Sequence, residues 1–300
     1  MPYARNGSPS LGVGAATSVA NEATVVGQEN ERQLAGRFDD VELRTGVRLR
    51  YLEQGHPAGH PIIFLHGYSD SSFSYSRILP LLPDRYHAYA LDLRGHGDSE
   101  RPAGGYAMRE LATDVIAFMD ARQVREATVV GHSLGSFIAQ EVALAAPERV
   151  ARLVLIGSGT SIHRVQGIGE LEAATDALED PVPLEFVSAF QASTVYRELP
   201  AEFMDQVNQE SLKLPARVWR SVMSGMLATG PAVELGDLGI PTRILWGDRD
   251  AIFPREEQDL LLGMIPHAVL TVFAETGHAP HWERPSEVAR ELRAFIDSTT

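Results

Sequence analysis

The sequence contains no cysteine. A thiol nucleophile, thiolate metal ligation, iron–sulfur ligation and a disulfide framework are therefore all excluded, whatever the compartment. No stretch reaches the roughly 18 apolar residues of a membrane helix, so no membrane span is expected. Positive charge is scarce: 26 Lys and Arg face 40 Asp and Glu, leaving a formal charge of −14. Such a balance repels phosphate backbones and anionic lipid surfaces, and nucleic acid is not an expected partner. Any covalent chemistry must rest on an oxygen or nitrogen nucleophile.

What is present reads as an ordinary globular protein, with 300 residues of which 44% are hydrophobic and 22% charged. That length allows about two domains of roughly 150 residues, or one larger α/β sheet. Residues 1–35 are rich in Gly, Ala, Ser and Asn and read as a loose tail. The sharper alternative is a signal peptide ending near Ala20, because Ser18, Val19 and Ala20 imitate a cleavage site. The first reading implies a cytoplasmic protein, the second an exported one. Gly12 and Gly14 imitate part of a dinucleotide fingerprint, but no strand precedes them.

From about Phe38 strand-like and helix-like patterns alternate. Val41 to Arg44 and Val47 to Leu52 flank Thr45 and Gly46 and predict a hairpin. Ile62 to Leu65, His87 to Leu91, Thr128 to Val130, Leu153 to Ile156, Arg243 to Trp246 and Leu270 to Phe273 are short apolar runs, the signature of buried parallel strands. Helical spacing recurs at Leu111, Val115, Phe118 and Met119, at Ile138, Val142 and Ala145, and at Val288, Leu292, Phe295 and Ile296. The succession predicts a mostly parallel sheet with helices on both faces. Residues 160–237 are too long for one crossover and are broken by Pro181, Pro183, Pro200 and Pro215, so they predict an inserted helical cap. The core would then comprise 36–159 and 238–300.

Gly131-His132-Ser133-Leu134-Gly135 stands where the strand ending at Val130 meets a helix beginning near Leu134. A G-x-S-x-G in that context is a nucleophile elbow, whose strained turn pushes the serine hydroxyl clear of the sheet. The Leu134 backbone N–H, at the helix N-terminus, would face a carbonyl oxygen becoming an oxyanion. The blander reading is a glycine turn with a capping serine.

With these residues the chain resembles the α/β-hydrolase family from about Phe38 to Ser298, which implies an eight-stranded, mostly parallel sheet carrying a cap. His66-Gly67 after a buried strand is similar to the family's oxyanion loop, and implies the Tyr68 backbone N–H as second donor. Asp92 to Ser99 looks like its structural turn. Asp250, in Gly247-Asp248-Arg249-Asp250, and His278, after Gly277, stand where the family places its acid and its histidine. The implied order of serine, acid, histidine is the one this fold uses. Asp248 competes for the acid role but reads better as a turn carboxylate. His66, His96 and His132 read as packing or hydrogen-bonding groups. His56 and His60 have a loop between them, and no metal or cofactor is implied.

A serine hydroxyl is a weak nucleophile, so His278 would take and return its proton while Asp250 fixes the imidazole. The expected reaction is hydrolysis of a hydrophobic carboxylic ester or lactone through an acyl-enzyme. Carbon–carbon hydrolysis and cofactor-free perhydrolysis use the same triad. A non-catalytic receptor of this fold is the alternative from another class. Phe186, Phe190, Tyr196, Trp219, Met223 and Met226 are expected to supply an apolar wall in the cap.

Overall fold

A computed structural model describes residues 36–298; the expected tail, with its two alternative readings, lies outside the described residues. Eight strands form one sheet: β1 (Arg37–Glu42), β2 (Arg48–Gly55), β3 (His60–Leu65), β4 (Tyr86–Leu91), β5 (Ala127–His132), β6 (Val150–Ile156), β7 (Thr242–Gly247) and β8 (Val269–Phe273). Their order is β1-β2-β4-β3-β5-β6-β7-β8. Only β2 runs against its neighbours; every other pairing is parallel. Every residue of β4 and β5 is buried, which requires cover on both sheet faces.

The N-terminal hairpin begins earlier than the sequence pattern suggests. Its first strand is Arg37–Glu42, whereas Leu43 and Arg44 belong to the turn. The Leu43 N–H bonds the Val47 carbonyl at 3.0 Å, and Gly46 adopts φ +78°. Leu43 and Val47 are both buried, so the apolar residue that mimicked a strand is the anchor of a turn tucked into the core.

Helix α1 (Met108–Ala121) buries Leu111, Val115, Phe118 and Met119, the stripe expected from its spacing. Helix α2 (Leu134–Ala145) is buried on nearly every side and follows β5 without a loop. Between β6 and β7 lie four more helices: α3 (Ile168–Asp176), α4 (Leu184–Ser193), α5 (Ala201–Leu212) and α6 (Ala216–Leu227). Pro183, Pro200 and Pro215 each stand immediately before one of the last three. A proline there needs no N–H of its own and fixes an extended approach, so each breaker also starts a helix. After β7 come α7 (Arg255–Met264), α8 (Pro280–Glu283) and α9 (Pro285–Asp297), the last burying Val288, Leu292, Phe295 and Ile296. Among the described residues no helix is long and apolar enough to cross a membrane.

β3 sits between β4 and β5. The chain leaving β3 proceeds to one side and the chain leaving β5 to the other, which opens a crevice at the carboxyl ends of the two strands.

Candidate active site

Both edges of that crevice carry the expected residues. β5 ends at His132, and Ser133 takes φ +51° and ψ −117°, a conformation rare for any residue with a side chain. The strain is held in place by its neighbours. The Ser133 N–H donates to the Ile156 carbonyl at 3.0 Å, and its carbonyl accepts the Ser136 N–H at 2.8 Å. A Cβ on Gly135 would lie 2.1 Å from the Leu65 carbonyl oxygen, and one on Gly131 would lie 2.2 Å from the Gly135 carbonyl oxygen. The two glycines are thus required by close backbone approach, and the turn cannot relax.

From the end of β7, Asp250 turns back into the sheet. Its Oδ1 accepts the backbone N–H groups of Ile252 and Phe253 at 2.8 and 2.9 Å, while Oδ2 lies 2.9 Å from His278 Nδ1. Both side chains are buried. A carboxylate can only accept, so Nδ1 carries the proton and Nε2 is left as the basic nitrogen. His278 Nε2 is buried without a hydrogen-bond partner among the described residues, and His278 and Ser133 line the same small chamber. Asp248 makes no hydrogen bond to His278 among the described residues and has Arg249 as its ion-pair partner at 3.7 Å.

The loop bearing His278 is tied to the segment after α4. The His278 N–H donates to the Thr194 carbonyl at 2.9 Å. Glu283 accepts the N–H of Gly277 on one oxygen and that of Arg197 on the other, both at 2.8 Å.

Tyr68 follows the loop from β3. Neither its backbone N–H nor that of Leu134, the first residue of α2, has a protein acceptor among the described residues. The Tyr68 hydroxyl donates to the Trp219 carbonyl at 2.7 Å, and its ring packs edge-on against Phe190 and Trp219. These contacts fix the loop against the inserted helices.

A cavity of about 490 Å³ opens from Ser133 beneath those helices. Of the six residues expected in its wall, Phe186, Phe190, Met223 and Met226 line it. Trp219 is fully buried behind them, in contact with the rings of Phe186 and Phe190. Tyr196 is 55% exposed and faces Arg249 outside the cavity. Residues that sequence reasoning passed over include Asp70 and Gln191, which line the small chamber beside Ser133. Burial lifts the Asp70 carboxyl to about 7.

The other histidines are held by structure. His66 Nε2 accepts the Leu93 N–H at 3.0 Å, and His60 Nε2 bonds Thr128 Oγ1 at 2.8 Å. The structural turn is built on Asp92, whose oxygens accept the N–H groups of Ser72 and Asp98. Among the described residues no group of three His, Asp or Glu side chains is placed to hold a metal ion.

A family model described as alpha/beta hydrolase fold matches residues 60–285. The acetyltransferase component of an acetoin-cleaving system from Cupriavidus necator is 29% identical over 276 residues, covering 89% of this chain and 71% of the relative. A 2-hydroxymuconate semialdehyde hydrolase from a Pseudomonas species is 29% identical over 268 residues, covering 85% of this chain and 92% of that protein. Among solved structures, an esterase from a Rhodococcus species superposes with a TM-score of 0.77 at 27% identity, covering 89% of this chain and all of the other.

Proposed function

The chain belongs to the α/β-hydrolase fold family, and we propose that it is a serine hydrolase that cleaves a neutral, hydrophobic carboxylic ester or lactone. The observation that carries this reading is the buried 2.9 Å contact between Asp250 Oδ2 and His278 Nδ1, which leaves His278 Nε2 basic in a chamber shared with Ser133.

Ser133 Oγ attacks the substrate carbonyl as His278 Nε2 takes its proton, and Asp250 stabilises the imidazolium. The N–H groups of Tyr68 and Leu134 receive the oxyanion. Collapse of the tetrahedral intermediate expels the alcohol, which leaves with the proton returned by His278. Water then repeats the sequence on the acyl-enzyme. Helices α3 to α6, within residues 160–237, act as the cap that sets substrate shape, and the 490 Å³ cavity takes the apolar portion. The described lining carries Glu170 and neither Lys nor Arg. That favours a neutral ester or lactone over carbon–carbon cleavage of a carboxylate-bearing substrate.

A fluorophosphonate probe followed by peptide mass mapping tests the assignment. The adduct is expected on Ser133, and Ser133→Ala is expected to lose both labelling and turnover of p-nitrophenyl esters. Equal ester turnover by wild type and Ser133→Ala would overturn it.

A further inference from the structure

Next to the large cavity, and sharing Tyr68, Ser133, Phe190 and Ile252 with it, lies a second chamber of about 20 Å³. That is room for one water molecule and little else, and a buried water needs two to four polar partners. The chamber supplies them. Asp70, His132 and His278 all line it, and His132 Nδ1 and His278 Nε2 are both buried without a hydrogen-bond partner among the described residues. His132 Nε2 lies 3.2 Å from the His278 carbonyl oxygen. The carbonyl can only accept, so Nε2 holds the proton and Nδ1 is an acceptor.

The spacing suits a bridge. A Cβ placed on Gly67 would meet His132 Nδ1 at 2.8 Å and Asp70 Oδ2 at 3.2 Å. Those two atoms are therefore no more than about 6 Å apart, within the span of two hydrogen bonds through one water. Asp70 is held rigidly for the task. Its N–H donates to the Gly67 carbonyl, Ser74 Oγ donates to Oδ2 at 3.2 Å, and Gln191 Nε2 on α4 reaches Oδ1 at 3.3 Å. Ser74 is in turn fixed by Trp282 Nε1 and His281 Nε2, each at 3.0 Å.

We infer that this chamber seats the water that hydrolyses the acyl-enzyme, and that Asp70 is the residue that orients it. The inference rests on the serine-hydrolase reading above. At rest the water gives one hydrogen to the Asp70 carboxylate and the other to His132 Nδ1. In the acyl-enzyme the second hydrogen turns from His132 Nδ1 to His278 Nε2 while Asp70 keeps the first, which aims an oxygen lone pair at the acyl carbon. The water oxygen bonds that carbon as His278 takes one proton, and the carbonyl π pair moves onto oxygen. The pair then returns, the bond from carbon to Ser133 Oγ breaks, and His278 gives its proton to Oγ. Acid and free serine result. The small volume also admits water in preference to an alcohol, so hydrolysis outcompetes acyl transfer.

Rapid-mixing kinetics with p-nitrophenyl butyrate, at a pH of about 8.5 where the carboxyl is ionised, separate the two half-reactions. In Asp70→Asn the burst rate is expected to stay within about twofold of wild type, while the steady-state rate per burst-competent site falls about tenfold. Butyryl-Ser133 accumulates in acid-quenched mass spectra. With methanol added, Asp70→Ala raises the ratio of methyl butyrate to butyrate about fivefold, and Ser74→Ala, which releases Asp70 Oδ2, moves the ratio the same way. A merely structural role lowers both phases together. Parallel losses in the two phases of Asp70→Asn, or an unchanged product ratio in both Asp70→Ala and Ser74→Ala, overturn the inference and leave the serine mechanism standing. Failure to trap any butyryl-Ser133 in wild type, together with full activity of Ser133→Ala, removes the serine mechanism and this inference with it.

Discussion

Asp250 holds His278 through one carboxylate oxygen, Oδ2 at 2.9 Å, because Oδ1 is already committed to the N–H groups of Ile252 and Phe253. This division of the two oxygens makes the acid intolerant of amidation. In Asp250→Asn the remaining oxygen stays with the two N–H groups and the new NH₂ faces His278 Nδ1. The imidazole must then carry its proton on Nε2, where it cannot accept one from Ser133. A loss of kcat of about ten-thousand-fold is expected, with Asp248→Asn within about threefold of wild type. Steady-state kinetics of the two variants check this, and the opposite ranking would reassign the acid.

The elbow itself gives a stability prediction. A methyl group on Gly135 meets the Leu65 and His66 carbonyl oxygens at 2.1 and 2.6 Å, and neither backbone atom can retreat without shifting β3. Gly135→Ala is expected to destabilise the protein by about 2–4 kcal/mol and to abolish turnover in whatever fraction stays folded. Gly46→Ala, where nothing lies within 4 Å, is strained only by its φ of +78° and should cost about 1 kcal/mol. Denaturant unfolding distinguishes them, and equal midpoints would refute the packing argument.

The large cavity predicts a chain-length profile. Each methylene added to the acyl group of a p-nitrophenyl ester gains about 0.8 kcal/mol on burial, or about fourfold in kcat/KM, until the space is full. Met226 lines the cavity, so Met226→Trp should move the break in that profile to shorter acyl groups. An unchanged break would place the acyl chain elsewhere.

Buried titratable groups set the pH dependence of stability. Burial holds His96 at about 4 and His281 at about 3, and keeps His66 and His132 well below the usual imidazole range. In the unfolded chain these groups titrate near about 6.5, so below that pH the unfolded state binds protons that the fold refuses, and stability falls with acid. Burial also lifts Asp70 to about 7 and Asp92 to about 6, which works in the opposite sense: their stabilising protons are lost as the pH rises through those values. His60 is lowered by burial as well and Glu283 raised, so five imidazoles stand against three carboxyls, and urea midpoints should drop from about pH 6.5 toward pH 4. Asp70→Asn removes one offsetting group and steepens the drop. A midpoint flat across that range would contradict the assignment.

Much of this architecture was legible because it is periodic. Apolar runs marked the buried strands, three-to-four spacing marked α1 and α9, and the glycines around Ser133 marked a turn with no room for side chains. The run Leu270 to Phe273 instead belongs to the edge strand β8, where Val272 is exposed because no strand among the described residues covers its far side. The helices between β6 and β7 were harder to read. Trp219 and Met223 share α6, and helical spacing shows that both are buried without showing which one borders the cavity and which packs behind it. Asp70 was less legible again, since residues 69–76 follow neither a helix nor a strand period. The run of serines there reads as a capped helix start, and Ser71 does cap a short turn, but only the fold shows that Asp70 and Ser74 are buried and bonded to each other.

The tie between His278 and Thr194, reinforced by Glu283 bridging Gly277 and Arg197, joins the His278 loop to the segment that follows α4. The imidazole is therefore aimed from two sides, by Asp250 beyond β7 and by the residues after α4, so its placement depends on the inserted helices as well as on the sheet.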